Sequence, residues 1–501
     1  MAASILTHGS RAADVLYSYA RPQIKIDLAG EKDNLTNNYT TGDRIEGTVT
    51  ITAGHLTSFD EVEIQLEGSQ TVSVERGAVP GRTGATQTFL RLRQPIEEDL
   101  YPTPRVIEPG REYKFPFTFV VPQHLLPHIC NHFKANAHIQ DSHTLLLPSM
   151  GEPMLASDGK SVLDDMSPDM TRVAYHIRAE VSQKPVVGQT KSLRSARKKI
   201  RIVPVVEEQP PLTVLDNDPV YRVRKEKDVR RGTLRPRQGR LVAAASQPKP
   251  LQLSPPNADT RCNSVNTAAT IHLRFDPVGD EEPPSLGTVW SKLRVATYYT
   301  VHPWDDYPTA SVVSALDMSG RGVYSETVPL SSMCVASAQW TKQTSDTVRR
   351  DSLHSTSSAE SATGPSATFA GETYYTASLV VPVSLPKSRS FLPTFHSCLI
   401  SRIHILELCV SYHTPNMNIL TPTVSLKVPI QLTLAQPGAG IRSRRPSEEI
   451  ITQEDVDAEF FRPRSVAPPG TDADAVAPPD YSEYRALPSP LTRRPQEVRC
   501  S

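Results

Sequence analysis

Hydrophobic and polar residues alternate along most of the chain with a period of two. In the first part of the chain the alternation is clearest at residues 24–28, 45–51, 62–66, 113–121 and 173–181. Such alternation buries one face of a strand and exposes the other to water. Gly, Pro, Asn and Asp recur between these segments, and no segment sustains a helical period. The pattern therefore predicts antiparallel β-sandwiches.

A second set of alternating segments lies at residues 375–385, 406–412 and 424–434. We therefore predict a flexible N-terminus at residues 1–19, one sandwich at 20–205, a linker at 206–214 and a second sandwich at 215–437. Pro116 falls inside the segment at 113–121. Because proline has no N–H to donate to a ladder, it indicates a sheet edge or a bulge at that point.

Two stretches are predicted to be disordered. Residues 344–367 are rich in Ser and Thr and form a predicted insertion within the second sandwich. Residues 438–501 are rich in proline and charge and poor in large apolar groups, so they cannot bury enough surface to fold alone. The 45 prolines among 501 residues are nearly twice the usual share of about 5%, which fits this division into strands, turns and a tail.

Charge and cysteine usage restrict the partners and the compartment. The chain has 54 basic and 54 acidic residues, so its net charge favours no particular partner. The six cysteines include no C-x-x-C pair and suggest no disulfide framework. No signal peptide and no run of roughly 18 apolar residues is present. We expect a reduced, cytoplasmic protein.

Catalytic signatures are missing from the sequence. It has no P-loop, no G-x-S-x-G and no H-E-x-x-H, so we expect no enzymatic activity and no cofactor. The segment HLLPHICNH does crowd together four residues that could meet around a metal: His124, His128, Cys130 and His132. Histidines at strand ends are more often polar loop residues, and we therefore predict no metal site.

Basic residues cluster at residues 191–201 and 221–240. In one interpretation they are solvated strand edges, where Lys and Arg hinder pairing between sheets. In the other, the first cluster is a patch for anionic lipid headgroups or phosphorylated tails; its candidate residues are Arg194, Arg197, Lys198, Lys199 and Arg201. No aromatic residues interleave with the basic ones, which disfavours nucleic acid as a partner.

The tail carries a short peptide motif, Pro478-Pro479-Asp480-Tyr481. Two adjacent prolines pre-set a polyproline II twist, which lowers the ordering cost of binding. WW domains recognise that twist in aromatic grooves, and Tyr481 would fill a neighbouring pocket. We therefore predict Pro478, Pro479 and Tyr481 to be a WW-domain ligand.

Two serines in the predicted disordered stretches follow arginine pairs, in the pattern of basophilic kinase sites. They are Ser352, in the sequence RRDS, and Ser447, in RRPS. A phosphate would add nearly two negative charges beside each arginine pair, so we predict both sites to be regulatory.

Several segments resemble the fungal-type α-arrestins. IKIDLAGEKDNLTNNYTTGDRIEGTVTI resembles the first strands of the family's N-terminal domain, and PGREYKFPFTFVVPQHLLPHICNH has its Phe-Pro-Phe strand, Leu-Pro and Cys-x-His. DSHTLLLPSMG resembles its Leu-Pro-Pro-Ser-Leu-Gly segment, although one proline is absent and Met150 replaces leucine. GRLVAAASQPKPLQL and TVWSKLRVATYYTVHPWDDYP resemble the C-terminal domain.

The resemblance covers about residues 20–437 and implies two arrestin-type β-sandwiches in tandem. It implies an adaptor whose tail binds the WW domains of a HECT-type ubiquitin ligase, while the body recognises membrane transporters or receptors. Such cargo receives ubiquitin and is endocytosed, and the adaptor is recruited peripherally from the cytoplasm to the plasma membrane and endosomes. The alternative is an arrestin-fold trafficking scaffold, similar to retromer sandwich subunits, in which the tail match is accidental.

The position of the lysines constrains where the ligase that the resemblance implies could place ubiquitin. Lys427 is the last lysine of the chain, so a ligase held by the tail must modify the body or another protein. About forty residues separate the second predicted sandwich from Pro478, giving a predicted reach of about 30–40 Å. We predict ubiquitin acceptors on the basic segment at Lys191, Lys198 and Lys199, because unpaired charges there are too costly to bury. Alternatively, these lysines serve only charge and solubility.

Overall fold

The structure is a computed structural model that describes residues 21–31, 37–75, 81–152, 163–184, 190–215, 218–230, 237–254, 266–309, 320–344, 364–414 and 421–435. Within these ranges the chain consists mostly of β-strands with a single α-helix, which confirms the predicted all-β class. No helix in the described ranges is long and apolar enough to cross a membrane. The tail motif at Pro478, Pro479 and Tyr481 and both predicted phosphosites, Ser352 and Ser447, lie outside the described residues.

The first half contains two facing sheets. Its elements are β1 (Gln23–Leu28), β2 (Asn38–Tyr39), β3 (Arg44–Thr52), β4 (Thr57–Ser58), β5 (Glu61–Glu75), β6 (Arg82–Arg93), β7 (Val106–Ile107), β8 (Tyr113–Val120), α1 (Ala137–Thr144), β9 (Thr171–Gln183) and β10 (Lys191–Ile202). One sheet has the order β1-β3-β8, the other β2-β10-β9-β5-β6, and β4 pairs with β7. Strand β8 forms a sheet edge, as predicted from Pro116.

The second half repeats this arrangement with two five-stranded sheets. Its strands are β11 (Arg224–Arg230), β12 (Arg237–Ala245), β13 (Leu251–Leu253), β14 (Asn266–Pro277), β15 (Ser285–Thr300), β16 (Arg321–Cys334), β17 (Thr341–Thr344), β18 (Thr373–Ser384), β19 (Phe395–His396), β20 (Ile400–His413), β21 (Thr423–Ile430) and β22 (Leu432–Leu434). One sheet has the order β11-β12-β14-β18-β17 and the other β16-β15-β20-β19, with β21 on β20; β13 pairs with β22.

Each half encloses its own hydrophobic core between its sheets. The apolar residues of the alternating pattern point inward, as at Phe115, Phe117 and Phe119 of β8, while the intervening residues are exposed. In the second half, Leu406 and Leu408 of β20 face strands such as β14 across the core. At about 25 cal/mol per Å², this burial is the main source of stability. The period of two in the sequence thus follows from one buried face per strand.

The alternation fails where the two halves meet. Residues 295–300 of β15 and 400–406 of β20 are buried without exception, because both faces of these strands are covered. On one face, a separate apolar cluster is formed by Ala296, Tyr298, Ile403 and Ile405 with Val220 and Trp304. The other face runs from the second core to the first half. Tyr299 and Ile400 belong to the core cluster of the first half. We call this buried boundary the joint. Both halves belong to one compact unit.

A buried arginine crosses the joint. Arg402 of β20 is fully buried and donates to the backbone oxygens of Asp165 at 2.8 Å and Met166 at 3.1 Å. It also donates to the Thr297 hydroxyl at 3.0 Å and the Ser167 hydroxyl at 3.0 Å. Burial lowers the pKa of Arg402 to about 10, so it remains charged at neutral pH. The first-half segment at residues 165–167 is therefore held against the second half by a fully hydrogen-bonded cation.

Two segments outside the predicted sandwiches are attached to the second half. In the predicted linker, the Gln209 N–H donates to Gln431 Oε1 at 2.8 Å, and Val206 bridges to Leu434. The predicted disordered insertion at 344–367 begins and ends in described structure. Thr344 completes β17, and the N–H of buried Ser366 donates to an Asp276 carboxylate oxygen at 2.7 Å. These ends are therefore part of the fold.

Candidate functional site

Strand β10 carries the predicted basic patch and the predicted ubiquitin acceptors. It pairs with β9 along its length, whereas β2 covers its other side only at Arg201 and Ile202. Among the described residues, most of β10 is therefore an open sheet edge. Basic side chains are common at such edges because they discourage another strand from adding to the sheet.

The basic side chains of β10 project from both faces of the sheet. Lys198 lies opposite buried Ile177 and so belongs to the inner face, while Lys199 lies opposite His176 on the outer face. The same register puts Arg194 on the inner face and Arg197 and Arg201 on the outer face. The five residues predicted as one patch are thus divided between two faces, a consequence of the strand period of two.

Acidic partners further divide this set. Lys198 pairs with Glu31, and Lys199 pairs with the nearly buried carboxylate of Glu152. Arg201 is half-buried and donates to the Ser390 hydroxyl at 3.2 Å, and burial lowers its pKa. Among the basic side chains of β10, those that are exposed and lack an ion pair within the described part of the chain are Lys191, Arg194 and Arg197.

Three arginines of the second basic cluster are paired with acids within their own sheet. Arg240 of β12 contacts Glu226 at 3.0 Å and Asp228 at 3.1 Å on the neighbouring β11. Arg224 also contacts Glu226, at 2.8 Å, and Arg237 contacts Asp228 at 3.5 Å. Cross-strand pairs of opposite charge stabilise the sheet. The two carboxylates offset only part of the positive charge of this cluster, whose paired arginines fit the strand-edge interpretation.

A different group of side chains meets at the joint. Helix α1 begins at the cap residue Asn136, whose Oδ1 accepts from the Ile139 N–H at 3.1 Å. Ile139 and His143 lie four positions apart, on one helix face, and both are buried. The helix is fixed to the second half by a hydrogen bond of 3.0 Å between the Ser142 and Tyr307 hydroxyls. This packing aims His143 at the loop that follows β8.

Four sulfur and nitrogen ligands converge there. Cys130 Sγ lies 3.0 Å from His132 Nε2, 3.5 Å from His143 Nδ1 and 3.3 Å from Cys398 Sγ. The ligand atoms of all four residues lie within 4.8 Å of one another. Cys398 belongs to the turn between β19 and β20, so the group joins the two halves. We call it the Cys/His cluster.

Burial keeps the histidines of this cluster neutral and Cys398 protonated. It lowers the pKa of His143 to about 3 and also lowers that of His132. Burial, together with the nearby Cys130 thiol, raises the pKa of Cys398 to about 12. His132 Nδ1 donates to the Phe133 carbonyl at 2.9 Å, so its Nε2 presents a lone pair to the cluster. The residues could therefore hold a metal.

The predicted metal candidates are only half of this group. Cys130 and His132 are in the cluster, but His128 is exposed in a short turn and His124 bridges to Leu145 instead. The structure adds His143 and Cys398, which the sequence analysis did not select. The Cys-x-His spacing was the one local signal. Cys398 lies 268 positions from Cys130, and nothing in the local sequence connects them.

No protein-family model matches the chain, and no curated protein matches it. The resemblance to α-arrestin segments therefore rests on the quoted residues alone and stays a prediction.

Proposed function

We propose that this chain is a non-catalytic adaptor that brings a WW-domain HECT-type ubiquitin ligase to membrane transporters or receptors. The ligase would transfer ubiquitin to the cargo and to the adaptor itself, and the cargo would then be endocytosed. The observation that carries the proposal is the Pro478-Pro479-Asp480-Tyr481 motif in a tail that has no lysine after Lys427. A ligand with no acceptor beside it holds a ligase whose targets are elsewhere.

The folded body supports the proposal by its architecture and its exposed edge. Two β-sandwiches in tandem are what the α-arrestin resemblance predicts, and their assignment to that family is part of the proposal. On strand β10, Lys191 is exposed without an acidic partner among the described residues, and the Lys199 side chain is 62% exposed despite its pair with Glu152. Lys198 is less accessible, at 29%. We therefore rank the acceptors Lys191, Lys199, Lys198.

The proposal includes a weak contact between the body and anionic membrane lipids. Lys191, Arg194 and Arg197 are the basic residues of β10 that lack ion pairs within the described ranges. A basic residue near an anionic membrane surface contributes about 1 kcal/mol, so the three contribute no more than about 3 kcal/mol, since Arg194 and Arg197 project from opposite faces of the sheet. That is too little for stable anchoring. It suits an adaptor that its membrane cargo holds at the surface and that can afterwards leave the membrane.

Affinity purification of the full chain from cells tests the adaptor. We expect Tyr481→Ala to lose the ligase while it retains the cargo, because the substitution removes the side chain that would fill the WW pocket. Tyr484→Ala is the matched control: it removes a tyrosine three residues away, outside the motif, and should keep both partners. Absence of a ligase from the purification of the unaltered chain would instead favour the retromer-like scaffold, and retention of the ligase by Tyr481→Ala would contradict its recruitment by the tail motif.

A further inference from the structure

The Cys/His cluster has the donor set of a structural zinc site. Zinc in such sites takes four protein ligands, commonly two thiolates and two imidazoles. Tetrahedral geometry with Zn–S of about 2.3 Å and Zn–N of about 2.0–2.1 Å places neighbouring ligand atoms about 3.3–3.8 Å apart. The three distances from Cys130 Sγ are 3.0, 3.3 and 3.5 Å, close to that range. The other pairs of ligand atoms lie within 4.8 Å, so an ion needs only small movements of the side chains to enter.

We propose that Cys130, His132, His143 and Cys398 bind one structural Zn²⁺ that fastens the two halves of the protein together. Three ligands come from the loop and helix that follow β8, and the fourth comes from the turn between β19 and β20. The ion would therefore bridge elements more than 250 positions apart in the sequence, as the 268-position separation of Cys130 and Cys398 requires. This proposal is independent of the ligase adaptor.

The surroundings of the cluster fix its ligands in place. A chain of buried side-chain hydrogen bonds runs from Ser397, beside Cys398, to Gln70 at 2.8 Å and on to Gln87 at 2.8 Å. Gln87 then donates to the Ile129 carbonyl, beside Cys130, at 3.0 Å. The backbone carrying each cysteine is thus held by the same network. Hydrogen bonds around metal ligands raise affinity because the ligands are positioned before the ion arrives.

Charge and closure favour a structural ion. Two thiolates and two neutral imidazoles exactly balance the charge of Zn²⁺, so the buried site carries no net charge and no desolvated ion is left unpaired. Each cysteine loses its one thiol proton when it forms the metal–sulfur bond, so binding of the ion releases two protons to solvent in total. Four protein ligands leave no open position for water or substrate, unlike the three-ligand arrangement of catalytic zinc.

A disulfide between Cys130 and Cys398 is the competing use of the two sulfurs. It would require the Sγ atoms, 3.3 Å apart, to close to about 2.05 Å. It would also give no role to the two imidazoles that point at the same sulfur. The zinc site uses all four groups.

Elemental analysis and X-ray absorption on the untagged full chain, expressed with zinc present and purified anaerobically, test the proposal. We expect one zinc per chain, with a shell of two sulfurs at about 2.3 Å and two nitrogens at about 2.0–2.1 Å. Cys398→Ser and His143→Gln should each lower the retained zinc by about tenfold or more, because an incomplete ligand set holds zinc weakly. Cys334→Ser, an exposed cysteine, and His128→Gln are matched controls and should keep it.

The absorption spectrum is measured on the unaltered chain, so the test does not depend on how the variants fold. A zinc-free chain after incubation with Zn²⁺ would overturn the proposal. So would a zinc shell without sulfur, equal zinc retention by Cys398→Ser, or a Cys130–Cys398 disulfide in non-reduced peptides from the anaerobic preparation.

Discussion

The joint and strand β10 use polar side chains in opposite ways. At the joint, Arg402 is fully buried and its N–H groups donate to oxygens of the protein itself. The sulfur and nitrogen atoms of the Cys/His cluster lie close to one another in the same region. On β10, Arg194 and Arg197 face water and have no ion pair among the described residues. Polar groups at the joint thus stabilise the fold, whereas Arg194 and Arg197 of β10 remain available to a binding partner.

This difference predicts where a substitution will act. A buried group that loses its partner costs about 1–3 kcal/mol, because the remaining polar atom cannot return to water. An exposed ion pair contributes about 0–1 kcal/mol, since water screens it and the long side chains lose entropy. Substitutions at the joint should therefore lower the stability of the fold, whereas substitutions on β10 should alter binding and modification.

The largest expected effect is that of Arg402→Met. It leaves the carbonyl oxygens of Asp165 and Met166 without their donor and should lower the free energy of unfolding by about 3–5 kcal/mol. Arg389→Met is the control, because Arg389 is partly exposed and its pairs with Asp164 and Glu326 should contribute less than about 1 kcal/mol. Urea unfolding of the full chain measures both. Equal losses would show that the joint does not depend on its buried cation.

The next effect concerns β10 and membranes. Arg194→Gln with Arg197→Gln should weaken binding to phosphatidylserine vesicles by about 2 kcal/mol, roughly thirtyfold at low salt, since each removes one unpaired cation. Arg224→Gln with Arg240→Gln removes the same charge from two side chains that are already paired with acids, and should change binding far less. Vesicle sedimentation distinguishes them. If both double variants bind equally well, β10 is not the lipid-contacting surface.

A smaller and more local effect should follow removal of zinc. A strong chelator should speed amide exchange in α1 (Ala137–Thr144) and at residues 395–400 by about tenfold, which is about 1.4 kcal/mol of opening free energy. Exchange in β10 should not change, because its ladder with β9 has no contact with the ion. Cys398→Ser should exchange fast at these segments before any chelator is added. A uniform response along the chain would argue against a local bridge.

The sequence predicted the sheets well and the joint poorly. One-sided burial gives a period of two, so strands such as β8 and β9 could be recognised residue by residue. At the joint both faces are buried and the period disappears. Residues 295–300 contain no charged side chain, which is consistent with burial on both faces. Helix α1 is too short for its period to stand out.

The polar groups of the joint could not be found from the sequence, since their partners are distant. Arg402 resembles any surface arginine until the oxygens of residues 165–167 are placed beside it. Cys130 and His132 were noticed by their spacing, but His143 depends on the helix and Cys398 on the packing of the two halves. In contrast, the basic character of β10 could be predicted from the sequence, because exposed charges need no partner. Only the pairing register with β9 shows that these charges are divided between two faces of the sheet.

Mapping of ubiquitin remnants tests the adaptor most directly. The full chain is co-expressed with a WW-domain HECT-type ligase, and diglycyl-modified lysines are identified by mass spectrometry. We predict remnants on Lys191 and then Lys199, with fewer on Lys198, and their loss in Tyr481→Ala but not in Tyr484→Ala. Remnants confined to distant lysines such as Lys292 or Lys387 would contradict the choice of β10. Remnants unchanged by Tyr481→Ala would contradict the claim that the tail motif holds the ligase.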